Sequence, residues 1–187
     1  VAEATGVPED FLRAALDEEE RSRIEIEDNC MLVLTNFPML RGPDMYDTLP
    51  LGIILPQDQV ITVSLEETEL LPGNIVGPGA PAYYNTGKRT RFLFQILYKT
   101  AKVYLRYIHQ INRQTDEIER HLRKSMNNAE VFQLLDMEKG LTYFTVALRA
   151  NGLVLERLLR LRKNSALQHL LPQYEEDEDI LEDAIIE

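Results

Sequence analysis

The chain has 187 residues, of which 44% are hydrophobic and 27% are charged, so it is neither disordered nor collagen-like. This length suits one domain, or one domain with an appendage. Its single cysteine, Cys30, excludes an intramolecular disulfide framework and indicates a reducing compartment. No apolar run approaches the ~20 residues that a membrane-spanning helix needs, and the first residues lack the pattern of a signal peptide.

The charge is distributed unevenly along the chain. The formal net charge of −11 divides into −12 for residues 1–87, +9 for residues 88–163 and −8 for residues 164–187. An acidic chain is a poor general binder of nucleic acid, because phosphate contacts require a basic face. The basic middle segment also carries Tyr98, Tyr104 and Tyr107, which would suit a nucleic-acid groove. The two acidic segments offer a simpler partner, within one chain or between copies.

Short elements are predicted in the first half, which holds most of the prolines and glycines. Residues 8–16 predict a short helix with Pro8 in its first turn. Alternation of apolar and charged residues over 23–27 predicts a half-buried strand. The denser apolar run 30–37 predicts a central strand that Pro38 ends.

A hairpin is predicted next. Residues 51–55 and 59–65 are both apolar-rich, and they flank the turn-forming residues 56–58. Residues 71–87, rich in glycine and proline, read as a loop or linker.

Two long helices are predicted after residue 87. A heptad seam runs through Phe94, Leu97, Ala101, Tyr104, Ile108, Ile111, Thr115, Ile118 and Leu122. A second runs through Leu134, Met137, Leu141, Phe144, Leu148, Asn151, Leu155 and Leu158. The short break between them makes the helices antiparallel. Each would be ~50 Å long, so the hairpin should protrude from the body or pack onto another chain.

Asn151 is the polar member of the second seam. One interpretation is a buried polar residue that fixes helix register, as in coiled coils. The other is a solvated position near the end of the seam.

The last segment, after Pro172, is acidic over 175–179 and then has a helical stripe of Ile180, Leu181, Ala184 and Ile185. Acids at the start of a helix are favourable. The pattern carries no stop signal, which predicts a helix that continues in a longer parent protein.

The chemistry of most enzymes finds no support in this sequence. His109 and His121 lack the spacing of a helical zinc site, and no second cysteine is present. Gly87-Lys88 fails two fixed positions of a phosphate-binding loop. Carboxylates remain, and they suit Mg²⁺ or Ca²⁺; the alternative is a solvated acidic surface. We therefore expect no enzyme.

Three stretches resemble CorA-type divalent-cation transporters. Residues 137–158 (MEKGLTYFTVALRANGLVLERL) resemble the second long cytoplasmic helix of that family. Residues 5–12 (TGVPEDFL) resemble its early short helix, and residues 182–187 (EDAIIE) resemble the start of its stalk helix.

The resemblance implies an α+β fold: a mixed β-sheet flanked by helices, a long antiparallel helical hairpin and the start of a stalk helix. The corresponding segments are an α/β body at 1–87, the hairpin at 88–171 and the stalk start at 172–187. The parent would be a homopentameric Mg²⁺ channel, and this chain would lie on the cytoplasmic face of the cell membrane. The family's pore signature and both membrane helices are absent, so contact with the membrane would depend on missing C-terminal helices.

The resemblance also implies a regulatory role. In the family, weakly bound Mg²⁺ between neighbouring cytoplasmic domains holds the channel closed, and other divalent cations are compatible with such a site. Asp183 aligns with the stalk-helix acid of that site. Its partner belongs to the loop after the central strand, where Asp44 and Asp47 are the nearest acids and Asp44 is favoured. The competing class is a soluble helical adaptor whose hairpin docks a partner protein.

Overall fold

The computed structural model describes residues 2–27, 29–71, 87–122, 128–161 and 169–187. The elements in chain order are α1 (Ala2–Thr5), α2 (Glu9–Ala14), β1 (Arg23–Glu27), β2 (Cys30–Gly42), β3 (Met45–Leu55), β4 (Ile61–Ser64), α3 (Arg89–Leu122), α4 (Asn128–Leu161), a 3₁₀ turn (Tyr174–Glu176) and α5 (Glu178–Ile186). The predicted loop at 71–87 and the predicted break between the two long helices, at residues 125–128, lie almost entirely outside the described residues.

The described strands form one sheet in the order β1-β2-β3-β4, and each neighbouring pair is antiparallel. β1 has the predicted bounds. The predicted hairpin is confirmed as β3 and β4, with Ile54 opposite Ile61, but β3 begins at Met45 rather than at residue 51 and β4 covers only Ile61–Ser64. The α+β fold class is confirmed. The segment boundaries at 87/88 and 171/172 stay predictions.

Pro38 does not end the central strand, contrary to the prediction. β2 continues to Gly42, and Pro38 lies opposite Thr48 of β3. The backbone N–H of Asn36 points away from β3, to the side chains of Ser22 and Asn151. Residues two apart in a strand direct their N–H groups to the same side, so Pro38 removes no donor from the β2–β3 ladder. β2 and β3 therefore form a ribbon that extends beyond β1 and β4.

The two faces of the sheet bury different elements. On one face, Val7, Phe11 and Ala15 of the N-terminal helical segment cover Leu32 and Ile54. The approach there is close, because a Cβ on Gly52 would lie 2.4 Å from the Ala15 Cβ. On the other face, the apolar residues of β2 and β3 join those of α3, α4 and α5 in the largest apolar cluster.

The long helices form the predicted antiparallel hairpin. Tyr104 packs edge-on against Phe144, with ring centroids 5.2 Å apart, and Thr115 of α3 contacts Met137 of α4. The expectation of a protruding hairpin is only partly met, because the β2–β3 ribbon follows it. α4 packs against β1, β2 and β3 as well as α3.

The predicted seam of α4 is wrong at two of its eight positions. Met137, Phe144, Asn151 and Leu158 are buried, but Leu141 and Leu148 are exposed. Gly140, Ala147 and Val154 take the alternate buried positions. The reason is the ribbon: a Cβ on Gly140 would lie 2.6 Å from the Tyr46 Cβ. Small residues face the sheet because its backbone approaches α4 too closely for leucine.

Asn151 is buried and pairs with a strand. Its Nδ2 donates to the Asn36 carbonyl at 2.8 Å, and its Oδ1 accepts from the Asn36 N–H at 3.0 Å and from the Ser22 hydroxyl at 2.7 Å. The Tyr104 hydroxyl donates to the same carbonyl at 3.0 Å. Asn151 therefore fixes the position of α4 on β2, and the solvated interpretation is wrong.

Candidate metal site

The acidic C-terminal segment docks on the basic face of α3. Ion pairs join Lys88 to Glu176 at 2.9 Å and Arg91 to Asp177 at 3.2 Å, and Lys102 pairs with Glu187. The partners advance together along both segments, so α5 runs parallel to α3. Leu181 and Ala184 are buried beneath it. The predicted pairing of the basic middle segment with the acidic tail is thus observed within one chain.

The acidic N-terminal segment contributes a further pair on α3. Arg106 donates to Glu69, with Nη1 at 3.1 Å from Oε2. These hydrogen bonds lower the pKa of Glu69. Lys99 donates to the backbone carbonyl of Glu69, and burial lowers the pKa of its ammonium group. The basic face of α3 is therefore largely engaged by carboxylates and carbonyls.

Asp183 lies on the opposite, exposed side of α5. Its backbone carbonyl accepts from the Glu187 N–H at 3.2 Å. Within the described part of the chain its carboxylate has no side-chain partner. Leu181 and Ala184 point inward, so the helix turns Asp183 and its neighbour Glu182 outward. Asp183 is thus an accessible oxygen donor.

Asp44 lies at the tip of the β2–β3 ribbon, with a positive φ of 61°. Aspartate tolerates this left-handed conformation better than most residues. Gln114 Nε2 donates to its Oδ1 at 2.7 Å, and Gln133 Nε2 donates to its Oδ2 at 3.2 Å. One carboxylate therefore joins the ribbon to both long helices.

Tyr46 extends this contact. Its hydroxyl donates to Gln114 Oε1 at 2.8 Å, and burial, then the nearby charge of Asp44, raises the pKa of the phenol. The hydroxyl thus remains a donor at neutral pH. Sequence reasoning missed this arrangement. The turn-forming run Gly42-Pro43-Asp44 was its only local signal, because the two glutamines are distant in the chain.

Asp47 is engaged mainly by its own ribbon. Arg41 Nε donates to its Oδ2 at 3.2 Å, and the Thr48 N–H donates to its Oδ1 at 2.8 Å. Arg41 also pairs with Glu66. The Asp47 carboxylate, then the Glu66 charge, helps raise the pKa of Arg41.

The structure does not bring the three predicted acids together within one chain. Lys102, beside the end of α5, and Gln114, beside Asp44, are separated by ~18 Å of helix at 1.5 Å per residue. Across the described ranges, no group of three or more His, Cys, Asp or Glu side chains could hold a metal ion. A site that uses Asp183 and Asp44 or Asp47 therefore needs two copies of the chain.

A family model described as CorA-like Mg²⁺ transporter protein matches residues 1–186. The chain belongs to this family. No curated protein sequence matches it significantly. None of the described helices has both the length and the apolar character needed to cross a bilayer.

Solved structures share the fold of this CorA-like chain. The soluble domain of CorA from Methanocaldococcus jannaschii is 19% identical, with a TM-score of 0.73 over 99% of this chain and 76% of that one. The ZntB cytoplasmic domain from Vibrio parahaemolyticus is 16% identical, with a TM-score of 0.65 over 99% and 73%. The complete CorA magnesium transporter of M. jannaschii is 18% identical, with a TM-score of 0.69, and this chain spans 60% of its length.

Proposed function

We propose that this chain is the cytoplasmic regulatory domain of a CorA-like divalent-cation transporter that senses Mg²⁺ through carboxylates at the interfaces between copies. The observation that carries the proposal is the family match over residues 1–186. The parent would be a homo-oligomer, a pentamer by analogy with the family, on the cytoplasmic face of the cell membrane. The domain itself would regulate transport rather than catalyse a reaction.

The accessible carboxylates fit the ion. Mg²⁺ prefers oxygen ligands, keeps several of its waters and often touches only one or two protein carboxylates. Asp183 is exposed and without a side-chain partner in the described ranges, so it can contribute one oxygen from each copy. Asp44 retains free lone pairs after accepting two amide hydrogen bonds. These features support a site shared by two copies, with Asp183 from one and Asp44, or less favourably Asp47, from the other.

The mechanism is electrostatic. Two carboxylates ~5 Å apart near a protein surface repel one another by about 1–3 kcal/mol. Mg²⁺ between them removes this repulsion and binds only where copies lie side by side. Because the ion prefers that arrangement, it shifts the equilibrium towards it. When the Mg²⁺ concentration falls, the repulsion returns and the copies separate.

The experiment measures association and protection by Mg²⁺. Sedimentation velocity and limited proteolysis of this chain, with and without Mg²⁺ at constant ionic strength, should show larger species and slower cleavage when the ion is present. Asp183→Asn should abolish both effects. Glu182→Gln removes the same charge from the neighbouring exposed position and should leave both effects intact.

The outcomes separate the parts of the proposal. An unaltered chain that ignores Mg²⁺ in both assays rejects the sensor. A normal response in Asp183→Asn rejects only the assignment of Asp183. Asp44→Asn then tests its partner: asparagine tolerates the positive φ and keeps an acceptor for Gln114, and the Gln133 amide can turn so that its oxygen accepts from the new N–H. A lost response therefore reports the missing charge.

A helical adaptor is the second candidate function, and one observation favours it. Val131, Phe132 and Leu135 of α4 are exposed by 46%, 65% and 52% near the hairpin connection. Exposed apolar side chains that lie together often mark protein interaction sites. An adaptor would bind a partner through this patch without Mg²⁺. Phe132→Ser would weaken that binding and leave the Mg²⁺ response of a sensor unchanged.

A further inference from the structure

A cavity of about 150 Å³ lies between α3, α4, the end of α5 and strand β2. Its walls are mainly apolar and include Leu97, Leu105 and Ile108 of α3 and Leu148 and Leu155 of α4. Gly152 also lines it, and a Cβ there would meet no atom within 4 Å. An apolar cavity of about this volume accepts a molecule the size of benzene.

Most polar groups of the cavity wall already have protein partners. The Thr100 hydroxyl donates to the Ile96 carbonyl, and the Tyr104 hydroxyl donates to the Asn36 carbonyl. Both ends of the Asn151 amide are used by Asn36, and Glu187 pairs with Lys102.

Thr35 is different. It lines the cavity from β2 and is only 1% exposed. Across residues 2–27, 29–71, 87–122, 128–161 and 169–187, its hydroxyl has no hydrogen-bond partner. The hydroxyl is not among the fully enclosed polar atoms of the described residues that lack a partner, so either an occupant of the cavity or water can reach it.

We propose that this cavity binds a small uncharged molecule with a compact apolar body and one hydroxyl group. The walls would bury the apolar body, and Thr35 would exchange one hydrogen bond with the hydroxyl. A charged ligand is disfavoured, because Glu187 is the charged group in the described lining and Lys102 already neutralises it. The inference goes beyond the proposed Mg²⁺ sensor and does not depend on it.

Occupation of the cavity has a consequence for α5. Ala184, Ile185 and Glu187 form one wall, and the other walls belong to α3, α4 and β2. A bound molecule therefore contacts α5 and its docking surface at once. Because it binds only when α5 is docked, it stabilises that arrangement by mass action.

The test uses benzyl alcohol and toluene, which differ by one hydroxyl group. In ¹⁵N-edited NMR spectra of the chain without Mg²⁺, benzyl alcohol should cause saturable shifts of the Thr35 and Gly152 amides and bind more tightly than toluene. Thr35→Val keeps the side-chain shape and should lower the affinity for benzyl alcohol by about two- to tenfold. It should leave toluene binding unchanged.

A second variant guards against binding elsewhere. Gly152→Met places a flexible side chain in the cavity, and circular dichroism checks that it folds. It should abolish the shifts caused by both probes. Binding that survives in Gly152→Met, or an alcohol preference that survives in Thr35→Val, overturns the proposal. So does the absence of saturable shifts in the unaltered chain, which would leave water as the partner of Thr35. Chain-concentration-dependent shifts lost in Gly152→Met would assign the cavity to a second copy instead.

Discussion

The side-chain amide of Asn151 pairs with β2 as the backbone of a neighbouring strand would. It accepts from the N–H of Asn36 and donates to the carbonyl of Asn36. Asn151→Leu should therefore lower the free energy of unfolding by about 1–3 kcal/mol, because Ser22 and Tyr104 still serve part of the Asn36 backbone. Urea denaturation followed by circular dichroism measures the change.

Leu153, two residues away and 67% exposed, supplies the control. Leu153→Asn should change the stability by no more than about 0.5 kcal/mol. If Asn151 were instead a solvated seam residue, its replacement by leucine would stabilise the protein. A higher free energy of unfolding in Asn151→Leu would therefore contradict the observed pairing with Asn36.

Gly140 and Gly152 form a matched pair on α4. Gly140→Ala should destabilise the chain by about 1–3 kcal/mol, because the new methyl group meets the Tyr46 backbone and Cβ. Gly152→Ala meets nothing within 4 Å and should stabilise it by about 1 kcal/mol through helix propensity. Thermal unfolding of both variants is the measurement, and shifts of equal sign would refute the close approach of α4 to the ribbon.

Single residues also show what the sequence could not predict. The local pattern predicts a helix through Asp183, whose candidate role comes from the family resemblance, and α5 turns this residue outward. The partners of Asp44 could not be predicted, because Gln114 and Gln133 reach it from helices 70 and 89 positions away. Contacts of that kind depend on the register between ribbon and hairpin, which local patterning does not encode.

At the scale of elements, ion pairs hold the segment that contains α5 on α3. One of these pairs has a buried carboxylate, and the others are exposed. Asp177 is 1% exposed, and within the described residues its Oδ2 has no partner. Arg91→Met would leave this carboxylate without its cation and should cost about 2–3 kcal/mol. Hydrogen exchange of the α5 amides should accelerate accordingly.

Lys102→Met is the matched control, because it removes an equivalent cation from the same interface. Lys102 and Glu187 are both partly exposed, so water screens this pair and the change should cost much less stability than Arg91→Met. Faster exchange in Lys102→Met than in Arg91→Met would show that the C-terminal end, not Asp177, anchors α5.

The elements were predictable where one periodicity dominates. β1 and the two long helices follow directly from alternation and from heptads. Prediction from the sequence failed where one element packs against two neighbouring elements. Proline ends a strand where it removes an N–H donor from a ladder of hydrogen bonds. The backbone nitrogen of Pro38 faces away from β3, so the β2–β3 ladder is not interrupted. A seam drawn through leucines assumes a helix partner, whereas α4 turns Gly140 and Ala147 towards a sheet.

For the whole molecule, the internal pairing of acidic and basic segments predicts a loss of stability in acid. The pKa of Glu69 lies below its ordinary value of 4.5, so the contribution of its pair with Arg106 is complete above that pH. It is lost as the pH falls through the lowered pKa of the folded state. Both side chains are about half exposed, so the effect should be less than about 1 kcal/mol.

Denaturation of the unaltered chain and of Glu69→Gln between pH 7 and pH 3 tests this, because the variant lacks the titrating group. The two stabilities should differ most near neutral pH and converge in acid. A difference that stays constant across this range would mean that Glu69 acts through packing rather than charge.

The parallel course of α5 and α3 has a mechanical consequence. A force applied to Ile186 along the helix axis would slide α5 along α3. It would therefore load the contacts of Glu176, Asp177 and Glu187 at the same time. Two antiparallel segments joined by a tight turn would instead separate from one another one contact at a time. The segment that contains α5 should therefore transmit tension to the sheet with little extension. Its contacts with α3 should break together rather than one by one.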